Sequence, residues 1–210
     1  MDVVAPSRRR GRPPKAMAGH NETRELLVRK GLVALTEKGF SATGLDEILK
    51  AAGVPKGSFY HYFDSKETFG AELIDRYGRY FAGRLDRFFT DDARFPLERL
   101  EAFVHDAEIA MERFAFSRGC LVGNLGQEMG ALPESFRRKL GDVFADWQQR
   151  TARCLQAAQA AGEIDVHHDA DRLAAFFWIG WEGAVLRAKL ERSGDPLRIF
   201  ADGFFTMIRI

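Results

Sequence analysis

The stretch from Thr43 to Lys66 reads T-G-L-D-E-I-L-K-A-A-G-V-P-K-G-S-F-Y-H-Y-F-D-S-K, and it gathers side chains that can hold phosphate and base edges. Lys56 and Lys66 carry positive charge, while Ser58, Tyr60, His61 and Tyr62 offer hydrogen-bonding groups. Lys56 and Gly57 stand where a helix of roughly 56 to 63 would begin, so free amides and the helix dipole favour an anion there, and glycine lets another backbone come close. Phe59 and Phe63 lie four apart and pack inward, which turns the polar set outward. Lys66, at the start of the next helix, is placed for a second phosphate.

The elements that present this set are legible in the pattern around it. Leu45, Ile48, Leu49 and Ala52 follow helical spacing and leave Lys50 to solvent, and Thr43-x-x-Asp46 is a capping-box candidate for that helix. Gly53 falls where the helix must end and the chain reverse, and Pro55 suits the opening of the second helix. A helix over about 22 to 38 comes before, with Leu26, Leu27, Gly31, Leu32 and Leu35 on one face and a Gly39-Phe40 stop. Two short helices joined by a tight turn, the second with polar side chains facing out, form a helix-turn-helix unit that reads DNA.

Ala51 or Ala52, then Gly53-Val54, Lys56-Gly57-Ser58-Phe59-Tyr60-His61-Tyr62-Phe63 and Lys66 resemble the DNA-binding domain of TetR-family transcriptional regulators. Pro55 is a departure, since serine is commoner there, and it removes a possible cap and phosphate contact. The resemblance implies an all-α protein: a three-helix helix-turn-helix domain at 21–67 and a larger helical ligand-binding and dimerisation domain at 68–210. It also implies a homodimer on palindromic double-stranded operator DNA, with Thr43, Lys56, Gly57, Ser58, Tyr60, His61, Tyr62 and Lys66 at the DNA, and repression as the habitual outcome.

The net charge of +1 is unevenly spread. Residues 1–15 hold five basic residues and one acidic, leaving 26 basic against 29 acidic in the remainder. Arg8-Arg9-Arg10-Gly11-Arg12-Pro13-Pro14-Lys15 has no apolar periodicity and is expected to be disordered when free, which makes residues 1–20 a basic arm. Its Arg10-Gly11-Arg12-Pro13 resembles the core of an AT-hook that sends arginines into a narrow minor groove; the other reading is a plain solvated tail. Neither a run of about 18 apolar residues nor a signal-peptide pattern stands out, so the expectation is a cytoplasmic protein with no membrane partner. Two cysteines, Cys120 and Cys154, lack the spaced partners of a zinc site, and His167-His168 reads as a helix-cap region. No metal and no cofactor are expected.

Beyond residue 65 the pattern is helical throughout. Helices are expected over about 65–90, 97–114, 121–129, 134–161, 169–192 and from 196 onward, with breaks at Asp91-Asp92, Ser117-Arg118-Gly119, Gly130 to Pro133 and Gly162. Fifteen of the 18 phenylalanines follow residue 67, more rings than a core of this size needs unless some line a cavity or a partner surface. The segment Phe176 to Leu186 is apolar nearly all round, with Gly180, Gly183 and Ala184 able to admit another helix; by resemblance the last two helices form a four-helix dimer interface.

Cys120 follows a turn glycine and opens a helix, where the dipole favours a nucleophilic thiolate; the alternative is a buried inert thiol. Arg118 to Pro133, with Leu186-Arg187-Ala188-Lys189, resembles the branch of the family that answers to acrylate and to electrophiles such as N-ethylmaleimide or aldehydes. That implies a small-molecule effector, with Cys120 as sensing thiol or pocket residue, Lys189 supplying positive charge to a carboxylate or the thiolate, and Phe114, Asn124, Trp178, Trp181 and Glu182 expected near the pocket. Two competing readings are a small enzyme with Cys120 as nucleophile and an architectural AT-rich DNA binder built on the arm.

Overall fold

A computed structural model describes residues 15–210, with side chains from His20 onward. Arg10 and Arg12, and with them the arm reading, lie outside the described residues. The helices are α1 (Lys15–Lys38), α2 (Leu45–Ala52), α3 (Lys66–Phe89), α4 (Pro96–Glu112), α5 (Leu121–Gln127), α6 (Glu134–Ala160), α7 (Ala170–Glu191) and α8 (Asp195–Ile208). Besides these, the described residues hold a 3-10 turn at Lys56–His61 and an isolated bridge between Ile164 and Arg209. The first helix therefore starts at Lys15, ahead of the expected 22. The expected boundary after residue 67 falls within the first turn of α3, so one unbroken helix runs from the reading unit into the larger part.

Gly53 closes α2 in the left-handed conformation (φ 66°), and the Val54 N–H reaches back to the Leu49 carbonyl at 3.0 Å. A side chain with a Cβ would be strained there, which is why the turn falls on a glycine. The capping box is not formed. Gly44, not Thr43, is the N-cap, and buried Thr43 donates its hydroxyl to the Gly39 carbonyl at 2.6 Å. Thr43 thus ties the α1–α2 connection and does not face outward.

The second reading element is a 3-10 turn where an α-helix was expected: Ser58 N–H bonds Pro55 O at 2.9 Å and Tyr62 N–H bonds Phe59 O at 2.9 Å. Glycine and aromatics are weak helix formers, and the ring contacts settle the matter. Phe59 packs edge-on to Phe69 at 5.6 Å and Phe63 meets Phe69 at 4.6 Å, both on the start of α3. Arg24 of α1 covers the Phe63 ring at 4.9 Å and pairs with Glu72 of α3.

In the larger part, α3, α4, α6 and α7 enclose an aromatic core. Phe81 lies 4.4 Å from Trp147, Trp147 lies 5.0 Å from Trp178, and Phe103 lies 6.0 Å from Trp178. Each such pair adds about 0.5–1.5 kcal/mol beyond area burial. Trp178 donates its indole N–H to Thr151 Oγ1 at 2.9 Å, and Thr151 donates to the Trp147 carbonyl at 2.9 Å. No helix among the described residues is long and apolar enough to cross a membrane.

Phe59 is fully buried and joins the turn to α3. Phe59→Ala is expected to destabilise the reading unit by about 3–5 kcal/mol through lost transfer energy and a cavity, read as a lowered midpoint in denaturant unfolding; a change below about 1 kcal/mol would contradict this packing.

Candidate nucleic-acid interface and ligand cavity

On the reading face, Lys56, Gly57, Tyr60 and His61 are exposed, and Ser58 is half-buried. A Cβ added at Gly57 would meet nothing within 4 Å, so the chain's own packing does not require glycine there. Lys56 Nζ rests on Asp46 Oδ2 at 2.9 Å, an exposed pair that phosphate can replace. Tyr62 is half-buried with its ring 4.5 Å from His20, so it braces the turn against α1. Lys66 is also committed inward: its ammonium donates to the Phe40 carbonyl at 3.0 Å and covers the Phe40 ring at 4.4 Å. Burial pulls its pKa down. In the DNA-free chain Lys66 is thus engaged with Phe40 and does not stand free as its place in the sequence suggests.

A cavity of about 360 Å³ opens in the larger part. Leu32, Val33 and Thr36 of α1 form one wall, Tyr77, Phe81 and Arg84 of α3 another, and Met111 and Phe114 of the α4 end a third. Cys120, Trp181, Glu182 and Val185 complete it. Cys120 is the N-cap of α5, as its place after Gly119 suggests, and accepts the Gly123 N–H at 3.4 Å. The thiolate is nonetheless disfavoured: burial first, then the neighbouring Glu182 charge, push the thiol well above its ordinary value. Glu182 itself is pushed up to about 7 by burial, against a hydrogen bond with Cys120 that pulls it down. Burial also raises the Tyr77 phenol beside them. Gly123 permits this arrangement, because a Cβ there would collide with the Glu182 carboxyl.

The loop into Cys120 also grips the end of α1. An α-helix leaves its last carbonyls without internal partners, and here three groups from the larger part take them. Asn124 Nδ2 donates to Leu35 O at 3.0 Å and Thr36 O at 2.9 Å, Lys189 Nζ to Glu37 O at 2.6 Å, and Gly119 N–H to Thr36 O at 3.0 Å. Arg118 pairs with Glu37 at 3.0 Å. Glu128 then accepts the Phe40 and Ser41 amides at 3.0 and 2.7 Å. The loop reaches this position through Ala115 (φ 48°) and Phe116 (φ 55°), two successive residues in a region that side chains seldom adopt.

Comparison with known proteins decides what this arrangement belongs to. The family described as "Bacterial regulatory proteins, tetR family" matches residues 27–73, and "Tetracyclin repressor-like, C-terminal domain" matches residues 96–204. "Transcriptional regulator AcuR" of Cereibacter sphaeroides is 57% identical over 199 residues, covering 93% of this chain and 89% of that one. The chain belongs to the TetR family. "HTH-type transcriptional repressor DhaR" of Mycobacterium sp. (strain GP1) is 33% identical over 185 residues, covering 88% of this chain and 89% of that one. The crystal structure of "regulatory protein TetR from Rhodobacter sphaeroides" superposes with a TM-score of 0.87 at 56% identity, covering 89% of this chain and 98% of that one. The chain is a DNA-binding transcriptional regulator, and the readings as an enzyme or an architectural binder are set aside.

In this TetR-family chain, four of the residues expected at the pocket, Phe114, Cys120, Trp181 and Glu182, line the cavity. Asn124 and Lys189 do not. They border a small cleft behind Cys120 and spend their donors on α1, so Lys189 serves a helix end and not a thiolate or carboxylate. Trp178 is core, held by Thr151. Tyr77, Arg84 and Arg118 were not singled out; Tyr77 and Arg84 sit two turns apart on one face of α3, a polar signal within an apolar stripe. Among the described residues no group of three or more His, Cys, Asp or Glu could hold a metal.

Because the folded Glu182 carboxyl titrates at about 7 against an ordinary 4.5, the folded state binds its proton more tightly. Its stabilising share is complete below the ordinary value and is lost as pH rises through the folded one. Glu182→Gln is expected to unfold at higher denaturant than wild type at about pH 8, by up to about 3 kcal/mol, with the difference shrinking towards about pH 5. An equal difference at both pH values would contradict the assignment.

Proposed function

We propose that the chain is a homodimeric repressor that reads a palindromic operator through Lys56, Gly57, Ser58, Tyr60 and His61. A small organic acid or electrophile in the cavity beside Cys120 releases it. On this reading residues 21–67 form the DNA-binding part and 68–210 the sensing and dimerising part. The observation that carries it is the shared wall: α1 lines the cavity with Leu32, Val33 and Thr36, and its Thr36 carbonyl is held by Gly119 of the loop leading into Cys120 and by Asn124 of α5. An occupant that displaces this loop reaches the reading unit without an intermediary, and it favours the state of low DNA affinity by its differential contacts with the two.

Polarity in the cavity supports the ligand class. Arg84 and Arg118 share its lining with Cys120, Tyr77 and Glu182. An α,β-unsaturated acid would turn its carboxylate to the arginines and its β-carbon to Cys120. Bonding of Sγ to that carbon sends the π pair to the α-carbon, and the thiol proton, taken by Glu182, ends there.

Dimerisation is supported by the outer face of α7. Phe176, Ile179, Gly183, Leu186 and Leu190 recur at three- and four-residue steps and are exposed, Ile179 at 73% and Leu190 at 75%. Such a stripe is a helix-pairing seam. Gly180, expected on it, instead receives Phe200 of α8 in the same chain. Replacing both Ile179 and Leu190 by Arg is expected to give monomers by light scattering and to weaken operator binding about a hundred-fold or more, since one half-site remains; an unchanged dimer would refute this interface.

The effector reading is tested with N-ethylmaleimide in gel shifts on operator DNA. Wild type is expected to lose affinity about ten-fold or more, within the usual coupling range, and Cys120→Ser to stay bound. The second thiol does not confuse the result, because Cys154 is not part of the cavity lining and donates to the Pro96 carbonyl at 3.3 Å. If wild type and Cys120→Ser dissociate alike, covalent sensing at Cys120 is wrong.

A further inference from the structure

Beside the cavity, between α3 and α4, lies a groove of about 590 Å³. Tyr80, Arg84, Ala110 and Phe114 line both spaces, so the two adjoin. The groove differs in chemistry from the cavity. Arg84, Arg87 and Arg113 face it with one carboxylate, Asp106, which Arg84 holds at 2.6 Å and Arg87 approaches at 3.5 Å. Arg113 has no carboxylate partner among the described residues and lies 5.9 Å from the Phe114 ring. Beyond residue 15 the chain carries more acidic than basic residues, so this positive cluster is not part of a generally basic surface. Ile109 and Tyr80, 49% and 67% exposed, give it apolar shoulders.

We infer that the groove is a second subsite for the anionic tail of an extended acyl or alkyl ligand whose apolar end occupies the cavity beside Cys120. This rests on the cavity being the effector site. Charge complementarity carries the assignment: guanidinium groups bind carboxylate and phosphate by paired, charge-assisted hydrogen bonds, and Arg87 and Arg113 have the most donors to spare. A short acid is held by the inner cavity alone, whereas a longer chain such as an octyl carries its anion past the shared lining to the arginines of the groove, and the apolar walls take up its methylenes.

Isothermal titration calorimetry with octanoate, octyl phosphate and the neutral octanamide tests this on the full chain, beside an Arg87→Gln/Arg113→Gln variant. Both positions are exposed, and an unchanged melting temperature confirms the variant's fold. Octanoate or octyl phosphate is expected to bind wild type about ten-fold or more tighter than octanamide, the scale of one charge-assisted hydrogen bond. The variant is expected to lose that preference while binding octanamide as before. A preference for either anion supports the subsite, and the stronger of the two identifies the tail as carboxylate or phosphate. Equal binding of all three by wild type, or a preference that survives in the variant, overturns it. Butyrate separates the two levels of the argument: binding to both proteins alike, with no gain from the longer anions, overturns the groove alone, whereas no binding of any of the four probes to wild type overturns the effector site with it.

Discussion

The end of α1 is the constraint on which the rest of the molecule turns. Its final carbonyls have no partners within the helix, and leaving them buried and unbonded would cost about 1–3 kcal/mol each. The larger part supplies the donors, through the Asn124 amide, the Lys189 ammonium and the Gly119 N–H. A positive charge at a helix C-terminus is also favoured by the dipole. Burial draws the Lys189 pKa down, and the neighbouring Glu37 charge opposes that. The two parts of the chain are thereby joined at a point that also borders the cavity.

The cavity is built on a related compromise. A dense set of rings around Trp147 and Trp178 fixes α3, α6 and α7, and the space beside them is left open where Cys120, Tyr77 and Glu182 meet. Three protonatable groups share a site in which burial raises the pKa of each. The resting thiol is therefore protected, and its proton must pass to Glu182 as sulfur bonds to a reagent seated beside it. Selectivity in such a site comes from fit and position more than from an exposed, intrinsically reactive thiolate.

Local signals in the sequence locate the helices, the left-handed turn at Gly53 and the inward pair Phe59 and Phe63, because spacing and glycine geometry act over a few residues. They also place Cys120 at a helix start. They do not reveal that burial outweighs the dipole there, since desolvation depends on α3 and α7 packing across it. Lys66 and Lys189 look like free cations in sequence, and each finds a backbone carbonyl far along the chain. The 3-10 geometry at Lys56–His61 follows from docking on Phe69, a contact that helix propensity does not encode. Sequence-distant partners, not local patterning, decide each of these cases.

Asn124, Lys189 and Gly119 all hold main-chain oxygens, and every amino acid offers the same oxygen. A side-chain change along the last turn of α1 leaves these main-chain contacts in place so long as the turn stays helical, although the Arg118–Glu37 pair still reads one side chain there. Descendants of one ancestral gene could then acquire new target sequences and new inducers separately, each half diversifying on its own schedule while the hinge between them keeps its old form.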